Sequence, residues 1–271
     1  MPDIHPTAIV DEAAQIADDV RIGPYCVIEA DTSIGAGTVL REHVVVRRYT
    51  NIGESNFIDA HTVLGGEPQD LKFDPQTVSH LNIGDGNVFR ECVTISRGSN
   101  ADSPTTVGNN TYWMACSHAG HDVTVGDGAI LINTSAVGGH ATIGPRAILS
   151  ASAIVHQFCW VGELVMSQGH AGTSCHVPPY SLFVENNKLA GLNTVGLRRA
   201  PDISDEDRRQ IREAFNLTYR SGLTLPSALE KMDACTDFGA AAGKFREFIR
   251  AVINAEPPYK RPLIRLRSRK D

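Results

Sequence analysis

The sequence predicts a parallel β-helix of triangular coils followed by a small α-helical domain, and three observations carry that prediction. An aliphatic residue returns at every sixth position over long stretches between Ile4 and Val161. Two polar segments interrupt the period, which then resumes. Beyond Pro178-Pro179 the pattern stops, and the chain from Ser204 onward reads as amphipathic helix.

The register runs through Ile4, Val10, Ile16, Ile22, Ile28, Ile34, Leu40, Val46, Ile52, Ile58 and Leu64, all aliphatic. It slips, resumes at Ile83, Phe89 and Ile95, and continues from Val107 through Trp113 and Ala119 to Val161. Neither a 3.6-residue nor a two-residue period accounts for a repeat of six, whereas a chain wound into flat three-sided coils does. Each hexad then forms one short strand and one corner. The aliphatic side chain points into a narrow prism, and a small one such as Ala8, Ala14, Thr32 or Thr38 fits beside it. Glycines following the aliphatic residue, as in Ile22-Gly23 and Ile143-Gly144, relieve the tight turns. Residues 65–82 and 98–105 break the repeat and read as loops ejected from the prism, where binding residues tend to gather.

For the second domain, Ser204 offers a helix cap, acids fill the next turn and Gly222 follows the last periodic residue, so a helix is expected near 205–221. One or two more should cover 225–254. The expected division is a β-helix over 1–190 and a helical domain with a basic tail over 191–271, the tail at 260–271 being read as solvated.

Composition narrows the function classes. A net charge of −6 disfavours a general nucleic-acid binder. No apolar run reaches the length of a membrane-spanning helix, and the N-terminal residues lack a basic and then hydrophobic leader, which reads as a cytoplasmic protein without an integral membrane segment. The six cysteines contain no CxxC pair, and several lie inside apolar hexads as small hydrophobes, against a disulfide framework or a cysteine zinc site.

Because three hexads close one coil, residues 18 apart should stack at the strand spacing of about 4.8 Å. That arithmetic sets Gly139 beside His121 and His140 beside Asp122, with Gln157 and His156 one coil further and His118 nearby. Two chemistries fit such a histidine cluster. Metal binding would use His118, His121 and His140. Acid–base catalysis would use His121, with Asp122 fixing its tautomer and the Gly139 N–H as donor to an oxyanion.

At these residues the chain resembles the UDP-N-acetylglucosamine O-acyltransferases that open lipid A biosynthesis. The likeness runs through HPTAIV at 5–10, QDLK at 69–72, VTISRG at 93–98, SHAGHDVTVG at 117–126, GGH at 138–140, VHQFC at 155–159, VPPY at 177–180 and YRSG at 219–222. It implies a left-handed parallel β-helix of hexapeptide repeats with a small C-terminal α-helical domain. It further implies a homotrimer with sites between neighbouring prisms, using a 3-hydroxyacyl thioester on acyl carrier protein and UDP-N-acetylglucosamine, with no cofactor and no metal. His121 would be the general base, Asp122 its orienting partner and Gly139 the oxyanion donor. Gln69, Asp70, Lys72, His118, His140, His156 and Gln157 would line the pocket, and Asn193 and Arg199 would meet the nucleotide. Gly169 and His170 would mark the region that sets acyl length. The rival readings are an N-acyltransferase on a related amino nucleotide sugar and a metal-binding β-helix of the γ-carbonic anhydrase kind.

Overall fold

The computed structural model describes residues 1–268 and is a left-handed parallel β-helix capped by helices. Nearly every hexad forms a two- or three-residue strand, and the strands stack into three sheets of twelve, nine and eight members among the described residues. Parallel pairing joins residues 18 apart, as in Ile4 with Ile22 and Val137 with Val155.

The six-residue register is the core. Ile28, Leu40, Ile58, Leu64, Trp113, Leu131 and Leu149 are buried at hexad positions. The small positions supply the polar ladders that such a narrow prism requires. Asn56 Oδ1 accepts the Asn87 N–H at 2.9 Å, and Asn87 Oδ1 accepts the Thr111 N–H at 2.8 Å, so these buried backbone donors are satisfied coil to coil. Corner residues repeatedly adopt positive φ, including Asp122 at +59° and His140 at +59°.

Both interruptions are insertions into one coil each. From Ile58 to its partner Phe89 the spacing is 31 residues and from Phe89 to Trp113 it is 24, against 18 in the regular coils. Strands Val63–Gly66 and Leu81–Ile83 bound the first loop, so it spans 67–80, and Thr94–Ser96 and Thr105–Val107 confine the second to 97–104. The first loop is shorter than expected because the strands extend into it, and the second keeps its expected length one residue earlier.

The prism ends in a hairpin, Ser181–Val184 with Lys188–Leu192, which is antiparallel. The boundary placed at 190 therefore falls inside a strand. Among the described residues four helices follow: α1 (Thr194–Arg199), α2 (Asp205–Tyr219), α3 (Leu225–Ala234) and α4 (Ala240–Ile253). Ser204 and Asp207 form a reciprocal capping box at the start of α2. Glu163, buried at a prism corner, binds Arg146 and accepts from Lys244 Nζ of α4 at 2.6 Å, tying the helices to the coils.

The basic tail departs from its expected solvation. Arg265–Leu266 adds a parallel strand to Lys188–Leu192, Ile264 is fully buried, and the tail crosses His176 on the way. Arg265 and Arg267 keep their charges outward while Ile264 and Leu266 face protein, so the segment is an edge strand with a charged rim. Residues 269–271, the last of the tail, lie outside the described residues. Among those described, no helix is long and apolar enough to cross a membrane.

Candidate active site

The histidine corner joins the nine-stranded sheet to the eight-stranded one. Strand His118–Ala119 leads into it and strand Thr124–Val125 leads out. Adjacent residues on a straight strand face apart, but the positive φ of Asp122 turns its side chain back toward His121. His121 Nδ1 lies 2.5 Å from Asp122 Oδ2. Since a carboxylate only accepts, Nδ1 carries the proton and Nε2 keeps its lone pair.

That free Nε2 faces Gly139 one coil on. A β-carbon on Gly139 would sit 2.9 Å from both His121 Cε1 and Nε2, so only glycine leaves the imidazole its place. The His140 N–H donates to the His121 carbonyl at 2.9 Å and locks the two coils in register. The Gly139 N–H itself donates to no described group, which leaves it available to an incoming oxygen.

Asp122 is held from several sides. Burial would raise its carboxyl, but His121 and the second ejected loop act the other way, through the Ser99 N–H at 3.0 Å and the Ser99 and Ser103 hydroxyls, and bring it down to about 2. The Asp122 N–H is held in turn by Thr105 Oγ1 at 2.8 Å. The loop expected to bind substrate thus also braces the acid that orients the histidine. His140 Nε2 stands 3.4 Å from the same carboxylate oxygen, and its ring is edge-on to His121 with centroids 5.0 Å apart. Burial holds His140 below the usual histidine range, and the charges of Asp122 and Asp70 oppose that.

The first loop therefore brings Asp70 within electrostatic reach of His140. Asp70 Oδ1 accepts the Lys72 N–H at 2.9 Å in a tight turn, while Gln69 and Lys72 are exposed beside it. His118 Nδ1 lies 2.8 Å from Thr94 Oγ1, and burial lowers its pKa. His156 and Gln157 are exposed on the next coil, where the His156 Nδ1–H donates to the Gln157 carbonyl at 3.2 Å.

Three donor atoms close enough to share a cation belong to His121, Asp122 and His140, all within 4.8 Å of one another. The trio expected for a metal, His118 with His121 and His140, does not converge, because His118 turns to Thr94 instead.

Other expected residues stand apart. Asn193 is 6% exposed and caps α1: its Oδ1 accepts the Gly196 N–H at 2.9 Å and its amide donates to the Leu164 carbonyl at 2.9 Å. Both ends of its side chain are thus engaged within the protein, so its role in this structure is to orient α1. Arg199 ends that helix exposed, with no ion pair among the described residues. Gly169 and His170 are exposed at a different corner, the one joining the twelve- and nine-stranded sheets. A β-carbon on Gly169 would meet only the Ala151 carbonyl oxygen, at 3.6 Å.

The site also holds residues that sequence reasoning did not select. Ser99, Ser103 and Thr105 grip Asp122, and Phe158 stacks on His140 with centroids 4.6 Å apart. Phe158 was within reach of the arithmetic, since it lies 18 residues beyond His140. The loop residues carried no comparable signal, because an ejected loop has no register.

A triangular prism of hexads with a histidine–carboxylate pair and a bare glycine amide at one corner fits the class of hexapeptide-repeat acyltransferases. Comparison with known proteins narrows this. The family model of bacterial transferase hexapeptides matches residues 13–48, and that of domain 2 of the UDP-N-acetylglucosamine O-acyltransferases matches residues 176–256. An acyl-[acyl-carrier-protein]–UDP-N-acetylglucosamine O-acyltransferase of Xanthomonas euvesicatoria pv. vesicatoria is 40% identical over 97% of this chain and 98% of its own. The enzyme of the same name from Syntrophobacter fumaroxidans is 39% identical over 91% of this chain and 96% of its own. Among solved structures, the UDP-N-acetylglucosamine O-acyltransferase of Moraxella catarrhalis superposes with a TM-score of 0.90 at 37% identity, covering 97% of this chain and 99% of that one. The chain belongs to the UDP-N-acetylglucosamine O-acyltransferase family.

Proposed function

We propose that this protein moves a 3-hydroxyacyl group from acyl carrier protein to the 3-hydroxyl of UDP-N-acetylglucosamine, the opening step of lipid A biosynthesis, as a cytoplasmic homotrimer. The observation that carries the mechanism is the His121–Asp122 pair facing an unengaged Gly139 N–H.

In this mechanism His121 Nε2 takes the proton from the sugar 3-hydroxyl as that oxygen attacks the thioester carbonyl. Asp122 holds the imidazole and stabilises its cation, since its own carboxyl stays ionised down to about 2. The Gly139 N–H meets the oxyanion. Collapse expels the carrier-protein thiolate, which recovers the proton from His121, so no covalent enzyme intermediate is needed. Asp70, Lys72 and Gln69 bind the sugar, with His118, His140, His156 and Gln157 completing the pocket.

The trimer is supported by where the parts lie. The corner of His121 and the corner of Gly169 and His170 flank the same nine-stranded sheet, on opposite edges. An acyl cleft formed where one prism's His121 corner meets the next prism's Gly169 corner uses both. Arg199, exposed and unpaired, reaches a nucleotide held in the neighbouring protomer's site.

The test is an assay of the purified protein with UDP-N-acetylglucosamine and 3-hydroxyacyl carrier-protein thioesters of several chain lengths. Wild type should form acylated nucleotide sugar, and His121→Ala should lose at least about 1,000-fold in turnover while staying folded, on the scale of removing a general base. Wild-type turnover by the variant would remove His121 from the mechanism.

A further inference from the structure

The C-terminal tail places an aromatic hydroxyl at the histidine corner, and it does so by a chain of specific contacts. His176 is fully buried beneath the tail. Its Nδ1 accepts the Trp160 N–H at 3.0 Å, and its Nε2–H donates to the Tyr259 carbonyl at 2.9 Å. The Arg261 N–H donates to that same carbonyl at 2.7 Å, so the backbone at 259 is pinned twice. The Tyr259 ring then packs between two aromatic residues of the prism. It lies nearly parallel to Trp160 with centroids 5.8 Å apart, and edge-on to Phe158 at 5.4 Å. Phe158 is the ring that stacks on His140, so His121, His140, Phe158 and Tyr259 form one continuous ladder of rings.

The far end of Tyr259 is unengaged. Its hydroxyl makes no hydrogen bond with a described group, although the residue is only partly exposed. Burial and then the negative charge of Asp122 push the phenol above its ordinary pKa, so it is a neutral O–H donor throughout the working pH range. A phenol fixed by its backbone and two ring contacts, with its polar end unengaged and within reach of the Asp122 charge, is a recognition group that loses little conformational freedom on binding.

Its side of the site identifies what it recognises. Asp70 approaches His140 from the N-terminal coils, carried by the first ejected loop. Tyr259 approaches the ladder beyond Phe158, from the C-terminal coils. Two substrates must meet at His121, and if the loop holds the sugar, the thioester arm comes past the other flank.

We propose that Tyr259 is a donor-binding residue, its hydroxyl donating a hydrogen bond to a carbonyl oxygen of the amide-bearing thioester arm as it enters along the Phe158 flank. This rests on the acyl-transfer reading above and assigns part of the donor site to the tail.

The test uses the full chain. Tyr259→Phe keeps the ring and the backbone anchor and removes only the hydroxyl, so its thermal unfolding should match wild type. The KM for the 3-hydroxyacyl carrier-protein thioester should rise about 3- to 10-fold, the scale of one neutral hydrogen bond, with kcat and the KM for UDP-N-acetylglucosamine within about twofold. Tyr259→Ala, which also removes the ring, should raise the donor KM further. A donor KM unchanged in Tyr259→Phe overturns the proposal, as does a rise confined to the sugar. Equilibrium binding of the same thioester to His121→Ala and to His121→Ala/Tyr259→Phe reads the contact without turnover, and equal affinities would again exclude it. Absence of transfer by wild type, with the thioester bound and the binding difference intact, would count against the acyl-transfer reading and leave the donor contact standing.

Discussion

Gly139 matters to the proposed site first through the atom it lacks. Its missing β-carbon leaves room for the His121 ring, since the added atom would sit 2.9 Å from Nε2 and Cε1. Its N–H stays open toward the site. Gly139→Ala should therefore injure catalysis more than folding, because the imidazole would have to move most, with only a slight adjustment at the His121 carbonyl oxygen 3.3 Å away. We expect kcat to fall about 100-fold or more with the unfolding temperature within a few degrees of wild type, the scale of misplacing a general base. A variant with wild-type kcat would show that the His121 ring can shift without loss of function. The residue scale was also where the sequence was most legible, because a coil of 18 residues turns spacing into distance. His121, Asp122, Gly139 and His140 follow from it directly. The arithmetic could not show that His118 bonds Thr94, nor that Ser99 and Thr105 grip Asp122, since those contacts depend on side-chain direction and on a loop that leaves the register.

At the scale of elements, the tail teaches the opposite lesson. Lys260, Arg261, Arg265 and Arg267 dominate its composition and suggest solvation, while the signal that mattered was the short run Leu263–Ile264–Arg265–Leu266, which pairs with the last hairpin strand. Polar alternation at a sheet edge resembles a polar tail until the edge it completes is known. Docking depends on His176, which accepts from Trp160 and donates to Tyr259 and therefore must be neutral. Burial lowers its pKa below the usual histidine value, partly opposed by the Tyr259 carbonyl. In the unfolded or undocked chain this histidine takes up its proton first as pH falls. The stability it contributes is thus fully present above about pH 6.5 and is lost below it, with a slope of up to about 1.4 kcal/mol per pH unit. The protection factor of the Ile264 N–H, which donates to the His176 carbonyl at 2.9 Å, should fall between pH 7 and pH 5 once the slower intrinsic exchange at lower pH is divided out. His176→Gln keeps one acceptor and one donor without titrating there, so it should flatten that dependence. A variant as pH-sensitive as wild type would assign the effect to another group.

For the whole molecule, the proposed trimer makes the site a shared one, with parts drawn from two prisms. The histidine corner and the Gly169 corner lie on opposite edges of one sheet, and Asn193 holds the α1 helix so that Arg199 projects from the capping domain without an ion-pair partner among the described residues. The long straight stack of coils follows from the hexad register, but how prisms associate does not, because the register describes only what points inward. If each site takes His121 from one protomer and Arg199 from the next, inactive variants should complement. His121→Ala trimers and Arg199→Ala trimers, the second weakened mainly in affinity for the nucleotide sugar, would be unfolded together and refolded as random mixtures. About a quarter of the interfaces would then combine an intact His121 from one protomer with an intact Arg199 from the other, given closed rotational symmetry with equivalent interfaces. At nucleotide-sugar concentrations below the KM of Arg199→Ala, activity should rise toward that fraction of wild type. If both residues instead served the site of their own protomer, no mixed interface would restore a complete site, and activity would stay at the average of the two parents.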